Sequence, residues 1–128
     1  MNDKQNLGKL GEEIVAKYLK RNGYKIVEKN YKNKFGEIDL IVKKDNMLSF
    51  IEVKTRKNMN YGTPAEAVNY NKRKHIYRTA EYYIIGQNIN KKDITFDVVE
   101  VYFHNEYNYR IIHIKRAIED CPLRGWRC

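Results

Sequence analysis

The stretch GEIDLIVKKDNMLSFIEVKTR, residues 36–56, decides the fold. It holds two β-prone runs, Gly36–Lys43 and Leu48–Thr55, around the polar tetrad Lys44-Asp45-Asn46-Met47, which predicts an antiparallel hairpin. A two-residue Asp45-Asn46 turn pairs Lys44 with Met47, and counting back along both runs sets Asp39 across from Glu52. Cross-strand neighbours have Cβ atoms about 4.5–5.5 Å apart, so two carboxylates placed there repel unless something positive lies between them. Lys54 follows Glu52 by two residues and therefore shares its face. A divalent cation is the natural occupant, and an all-oxygen donor set suits Mg2+ or Mn2+ better than zinc. In an ordinary hairpin the same charges would form a solvated face with a cross-strand salt bridge. Here they share their row with Ile41, Leu48 and Phe50, and acids in an apolar row are costly without a partner.

Outward from the hairpin, residues 7–22 (LGKLGEEIVAKYLKRN) place Leu7, Leu10, Ile14, Tyr18 and Leu19 at helical spacing, with Asn6 as the expected cap and Gly23 as the stop. Residues 24–30 (YKIVEKN) read as a short strand. Thr63, Pro64 and Glu66 supply a capping box for a long helix that ends near Gly86, with Val68, Lys72, Ile76, Ala80 and Tyr83 on one face. Residues 93–103 and 109–114 are two more strands, and a turn or short helix is expected around Lys115–Glu119. The order α-β-β-β-α-β-β predicts an α/β fold, a mixed sheet flanked by helices with the long helix as a crossover.

At 128 residues and with no linker, repeat or charge block, the chain is expected to form one domain. Its apolar runs are far shorter than the roughly 18 residues a membrane helix needs, and residues 1–20 lack a signal-peptide core, so a cytoplasmic protein without a membrane partner is expected. Cys121 and Cys128 could close only a local loop, which excludes a disulfide framework as the source of stability. The balance of 25 Lys+Arg against 16 Asp+Glu gives +9, a charge that suits a polyanionic partner, nucleic acid first among them.

The residues together carry a resemblance. A helix glutamate, then an aspartate, then Glu-x-Lys on the next strand resembles the PD-(D/E)xK superfamily of metal-dependent nucleases, with its restriction-endonuclease-like αβββαβ core. More narrowly, Gly8-x-x-Gly11-Glu12, Gly36-Glu37-Ile38-Asp39-Leu40-Ile41, Ile51-Glu52-Val53-Lys54-x-Arg56, Gly62-x-Pro64-x-x-Ala67-Val68 with Lys72, and Phe96-Asp97-Val98-Val99 resemble the YraN family of uncharacterised bacterial proteins over roughly residues 7 to 103. The resemblance implies that Asp39 and Glu52 hold Mg2+ or Mn2+, that Glu12 is a third acidic ligand through water with Glu13 as its rival, and that Lys54 serves the attacking water and the phosphate. Ile38 stands where the superfamily usually has proline.

Arg56, Lys57, Lys72, Arg73 and Lys74 are candidates for phosphate contacts, Lys72 on the family pattern, with Tyr61 or Tyr70 stacking on a base. Glu37 reads as a strand-entry residue, and His75, His104 and His113 show no metal-ligand spacing. The expected function is metal-dependent hydrolysis of nucleic-acid phosphodiester bonds, DNA before RNA. The alternatives are a non-catalytic nucleic-acid-binding or repair-accessory domain with the same fold, and a homodimer built through a sheet edge.

Overall fold

In the computed structural model of the chain, residues 3–57, 70–87, 89 and 93–118 are described. Helix α1 (Asp3–Arg21) leads into strands β1 (Lys25–Asn33), β2 (Gly36–Lys44) and β3 (Met47–Arg56), then helix α2 (Tyr70–Gln87), β4 (Ile94–Asn105) and β5 (Asn108–Ile114). The strands form one sheet in the order β1-β2-β3-β4-β5. All neighbours are antiparallel except β3 and β4, which are parallel because α2 carries the chain back across the sheet. The α/β class and the mixed sheet are therefore as the pattern of the sequence predicts.

Helix α1 begins at Asp3, so Asn6 lies inside its first turns and is not the cap. Its end follows the sequence. Gly23 takes φ 89°, its N–H reaches the Lys20 carbonyl at 3.1 Å, and the Tyr24 N–H reaches the Leu19 carbonyl at 3.0 Å, which is a Schellman close. The capping box at 63–66 and Tyr61 lie outside the described residues, as do Cys121, Cys128 and Trp126. After β5 the chain turns at Lys115 and Arg116, with Arg116 at φ 53°.

Each helix covers one face of the sheet. Beneath α1 lie Ile14, Val15, Ala16 and Leu19 with Leu40, Val42, Ile51, Val99, Val101 and Phe103. Beneath α2 lie Ile76, Tyr77, Ala80, Tyr83 and Ile84 with Ile38, Ile41, Leu48, Phe50, Phe96 and Val98. Ile41, Leu48 and Phe50, the apolar neighbours of the charged row, are thus core and not outward-facing: α2 roofs that face. Strand β4 is buried from Ile94 to Phe103 because it is central and covered on both sides.

Strand β2 departs from simple alternation. Ile38 packs under α2 and Leu40 under α1, although two residues apart on a regular strand share a face. The change coincides with Asn30, opposite Asp39 on β1, whose φ of 51° bends the ribbon. Past this bend the β2–β3 ladder stops at Leu40–Ile51, and a mouth opens between the two strands.

Candidate functional site

The two-residue turn holds the register that the hairpin predicts, with Lys44 opposite Met47 and Leu40 opposite Ile51. Asp39 and Glu52 occupy the next step, where the backbones no longer pair. The Asp39 side chain fills the gap: its Oδ2 accepts the Val53 N–H at 2.8 Å, so a carboxylate caps the ladder where a rung would otherwise continue. This bond fixes Asp39 at the mouth.

Glu12 reaches the same place from α1. A Cβ on the preceding Gly11 would overlap the Thr55 side chain, so only glycine lets α1 lie this close to β3, and the close approach brings the Glu12 carboxyl within hydrogen-bonding reach of Asp39. Burial raises the pKa of Glu12, with the Glu37 carboxylate adding to the shift. The effect is larger on Asp39. Burial, then the charges of Glu12, Glu52 and Glu37, lift it from the usual 3.8 to about 7, against the lowering pull of the Val53 N–H. Four carboxyl groups therefore face one mouth.

Lys54 answers part of this charge. Its ammonium lies 3.0 Å from Glu52 Oε1, with both side chains largely buried at 18% and 15% exposure. Beside them a recess of about 230 Å3 runs under α2, lined by the acids Glu37, Asp39, Glu52 and Asp97, by His75, and by apolar side chains including Phe50, Ile76 and Phe96. The recess is small and more apolar than polar.

The other predicted residues are more scattered. The Arg56 guanidinium lies 3.5 Å from Glu100, a carboxylate with no exposure at all, which also accepts the Tyr102 hydroxyl at 2.7 Å. Arg73 is half-buried on α2 and Lys74 is exposed, while Lys72 is in the first turn of α2, its side chain outside the described residues, as is that of Tyr70. Glu37, read from sequence as a strand-entry residue, both lines the recess and pairs with Lys32 at 3.6 Å. His75 and Glu100 carry no sequence signal for the places they take. The nearest hint for Glu100 is its position in the apolar run Val98-Val99-Glu100-Val101, where a charge must find a partner.

Among the described residues, no three His, Cys, Asp or Glu side chains converge tightly enough to enclose an ion. A closed protein cage of the zinc or calcium kind is not what they form. The donor set fits a cation of the Mg2+ kind, which binds through one or two carboxylates and fills its remaining positions with water and substrate phosphate. Asp39 and Glu52 are two such carboxylates at this mouth, with Glu12 beside Asp39.

With this geometry in place, comparison with known proteins gives the family. The profile of the uncharacterised protein family UPF0102 matches residues 11–101. A UPF0102 protein of Clostridioides difficile is 47% identical over 117 residues, covering 91% of this chain and 99% of the relative. One from Alkaliphilus metalliredigens is 42% identical over 109 residues, covering 85% and 96%. The chain belongs to the UPF0102 family, the group its motifs resemble under the name YraN. Among solved structures, that of Pyrococcus furiosus SfsA in complex with Ca2+ aligns with a TM-score of 0.42 at 11% identity, covering 88% of this chain and 64%, under two thirds, of that one. Among the described residues no helix is long and apolar enough to cross a membrane.

Proposed function

We propose that this protein is a metal-dependent nuclease that hydrolyses phosphodiester bonds at the β2–β3 mouth. One observation carries the reading: Asp39 is pinned by the Val53 N–H within a group of carboxyls whose burial and mutual repulsion lift it to about 7. Such crowding disfavours the charged form, a cost that a proton relieves at low pH and that a bound cation would offset where the carboxyls are ionised.

A divalent cation held by Asp39 and Glu52 would supply charge neutralisation at the phosphate and a water of lowered pKa. The chain's own groups do the rest. Lys54, held by Glu52, presents an ammonium to a non-bridging phosphate oxygen as negative charge builds there. Glu12 and Glu37 keep the mouth polar and orient water. The oxygen of that water forms the new bond to phosphorus, the bond to the departing sugar oxygen breaks, and the water's proton passes out through the solvated mouth while the sugar oxygen takes one up. The chain's excess of positive charge, +9 overall, favours the approach of the polyanion.

A nucleic-acid-binding domain without catalysis is the second reading, and the lack of a three-side-chain metal group among the described residues favours it. The two separate in one experiment. Purified protein is incubated with Mg2+ or Mn2+ on labelled single-stranded, duplex and branched DNA and RNA, beside Asp39→Ala and Lys54→Ala. Cleavage by the parent and loss of it in both variants supports the nuclease. No cleavage above the variants on any substrate overturns it and leaves the binding domain.

A further inference from the structure

Outside the mouth, the most distinctive surface is a shallow groove between the β1–β2 turn and the outer face of α2. Phe35 and Tyr82 form its walls, their ring centroids 5.9 Å apart and tilted by 60°. Tyr82 is 50% exposed, and Ile85, one turn further along α2, is 64% exposed. The Lys34 ammonium lies 5.2 Å from the Phe35 ring centre and 5.6 Å from that of Tyr82. Arg78 lines the same groove, together with Glu81.

Tyr82 and Ile85 stand together here beside two cationic side chains, a combination of aromatic surface and positive charge. The groove is also rigid. The Phe35 N–H is held by Asn33 Oδ1 at 2.9 Å, the Asn33 amide donates to the Thr79 carbonyl at 3.1 Å, and the Phe35 carbonyl lies 3.2 Å from His75 Nδ1. The turn is thereby fastened to α2 with Phe35 half-buried against Tyr82. His75 also lines the catalytic recess, so one Phe35–His75 contact forms the wall between the groove and the mouth.

We propose that this groove is a stacking platform for an unpaired base of a nucleic-acid strand whose phosphate lies in the neighbouring mouth. The inference rests on the nuclease reading for the kind of polymer and adds its structural class: single-stranded, flapped or branched rather than continuous duplex. The exposed side of Tyr82 gives stacking energy to any base, but a base inside a duplex has both faces covered by its neighbours. Lys34 and Arg78 are the charge complement, placed beside the ring pair to meet the phosphates that flank a base laid on the exposed side of Tyr82. A protein partner seated there would have to satisfy these same cations with acids, and a second copy of this basic chain presents them poorly.

The test is binding without catalysis. In EDTA, fluorescence anisotropy is measured with a labelled oligothymidylate of roughly 15 nucleotides and with a duplex of the same length, for the parent and for Tyr82→Ala, Phe35→Ala and Tyr82→Trp. Each alanine variant is expected to bind the single strand roughly tenfold more weakly and the duplex within about twofold of the parent. Tyr82→Trp is expected to keep the parent's affinity, and its added emission to be quenched by the single strand and not by the duplex. That signal tests the platform even if Phe35→Ala is poorly folded. The proposal is overturned if the parent binds neither probe, if the alanine variants weaken both probes equally or neither, or if sedimentation shows a parent dimer that Tyr82→Ala dissociates. Loss of cleavage with this strand preference intact would strike only the nuclease reading. Intact cleavage with no strand preference would strike only the platform.

Discussion

Two groups of acids lie a few strand positions apart and meet opposite fates. On β4, Asp97 and Glu100 are fully buried, yet each faces a partner. Asp97 Oδ2 lies 2.8 Å from His113 Nε2 and its Oδ1 accepts the Arg116 N–H at 3.0 Å, while Glu100 takes the Tyr102 hydroxyl and faces Arg56. At the β2–β3 mouth, Asp39 and Glu12 are less buried, yet they face each other and two further carboxylates, Glu37 and Glu52. Burial by itself therefore does not mark a functional acid. What separates the groups is the balance of neighbours: each β4 acid faces a cationic or hydrogen-bonding partner, whereas Asp39 and Glu12 bear the burden of crowding against other carboxylates even though Lys54 and Lys32 pair with Glu52 and Glu37.

The difference is broken most directly by removing one acid from each group and reading activity and stability together. Asp39→Ala should lower metal-dependent cleavage by on the order of 10²–10⁴-fold while leaving thermal unfolding near that of the parent, because the lost group supports chemistry and relieves repulsion. Asp97→Ala should do the reverse. It leaves His113 and the Arg116 N–H facing a cavity and loosens the turn after β5, at a cost of about 3–5 kcal/mol in denaturant unfolding. Although Asp97 also lines the recess, its two oxygens are taken up by His113 and the Arg116 N–H, so the cleavage rate per folded molecule should stay close to the parent's. If Asp97→Ala kills cleavage without loss of stability, the division into structural and functional acids is wrong.

How far this division was legible in the sequence depends on distance along the chain. The turn at Asp45-Asn46 sets the hairpin register, and with it the neighbourhood of Asp39 and Glu52 follows from counting alone. Gly23 closes α1 where the apolar spacing ends. The left-handed conformation of Asn30 was not legible, because such a residue in the run YKIVEKN leaves the composition of a strand unchanged; yet it stands opposite the point where Ile38 and Leu40 part to opposite faces. The partner of Asp97 was hidden for another reason. His113 comes to it only through the β4–β5 pairing, and a lone histidine carries no spacing that announces an ion pair. Glu37 reads as a charge at a strand entrance, and its place on the lining of the recess appears only once the chain is folded.

The smallest effect sharpens the comparison most, because it measures the burden itself. In the folded protein Asp39 titrates near 7, against 3.8 ordinarily, so folding favours its protonated form. The stability this contributes is complete below pH ~4, the unfolded value, and is lost as pH rises through about 7. Above that, the parent carries the full penalty of an ionised Asp39 among like charges. Asp39→Asn keeps an oxygen for the Val53 N–H and never ionises, so it should be more stable than the parent by on the order of 2 kcal/mol at pH ~8 without metal. The figure lies below a full conversion of the shift, since Glu12 titrates with Asp39 and takes up part of the proton demand. Near pH ~4 the advantage should vanish. Adding Mn2+ at pH ~8 should then raise the unfolding midpoint of the parent and leave that of Asp39→Asn where it was, since the cation offsets a charge that the variant lacks. A variant that gains nothing at high pH, or gains equally at every pH, would mean that the carboxyls at the mouth do not repel one another, and that they belong with Asp97 and Glu100 among the acids that complete the fold.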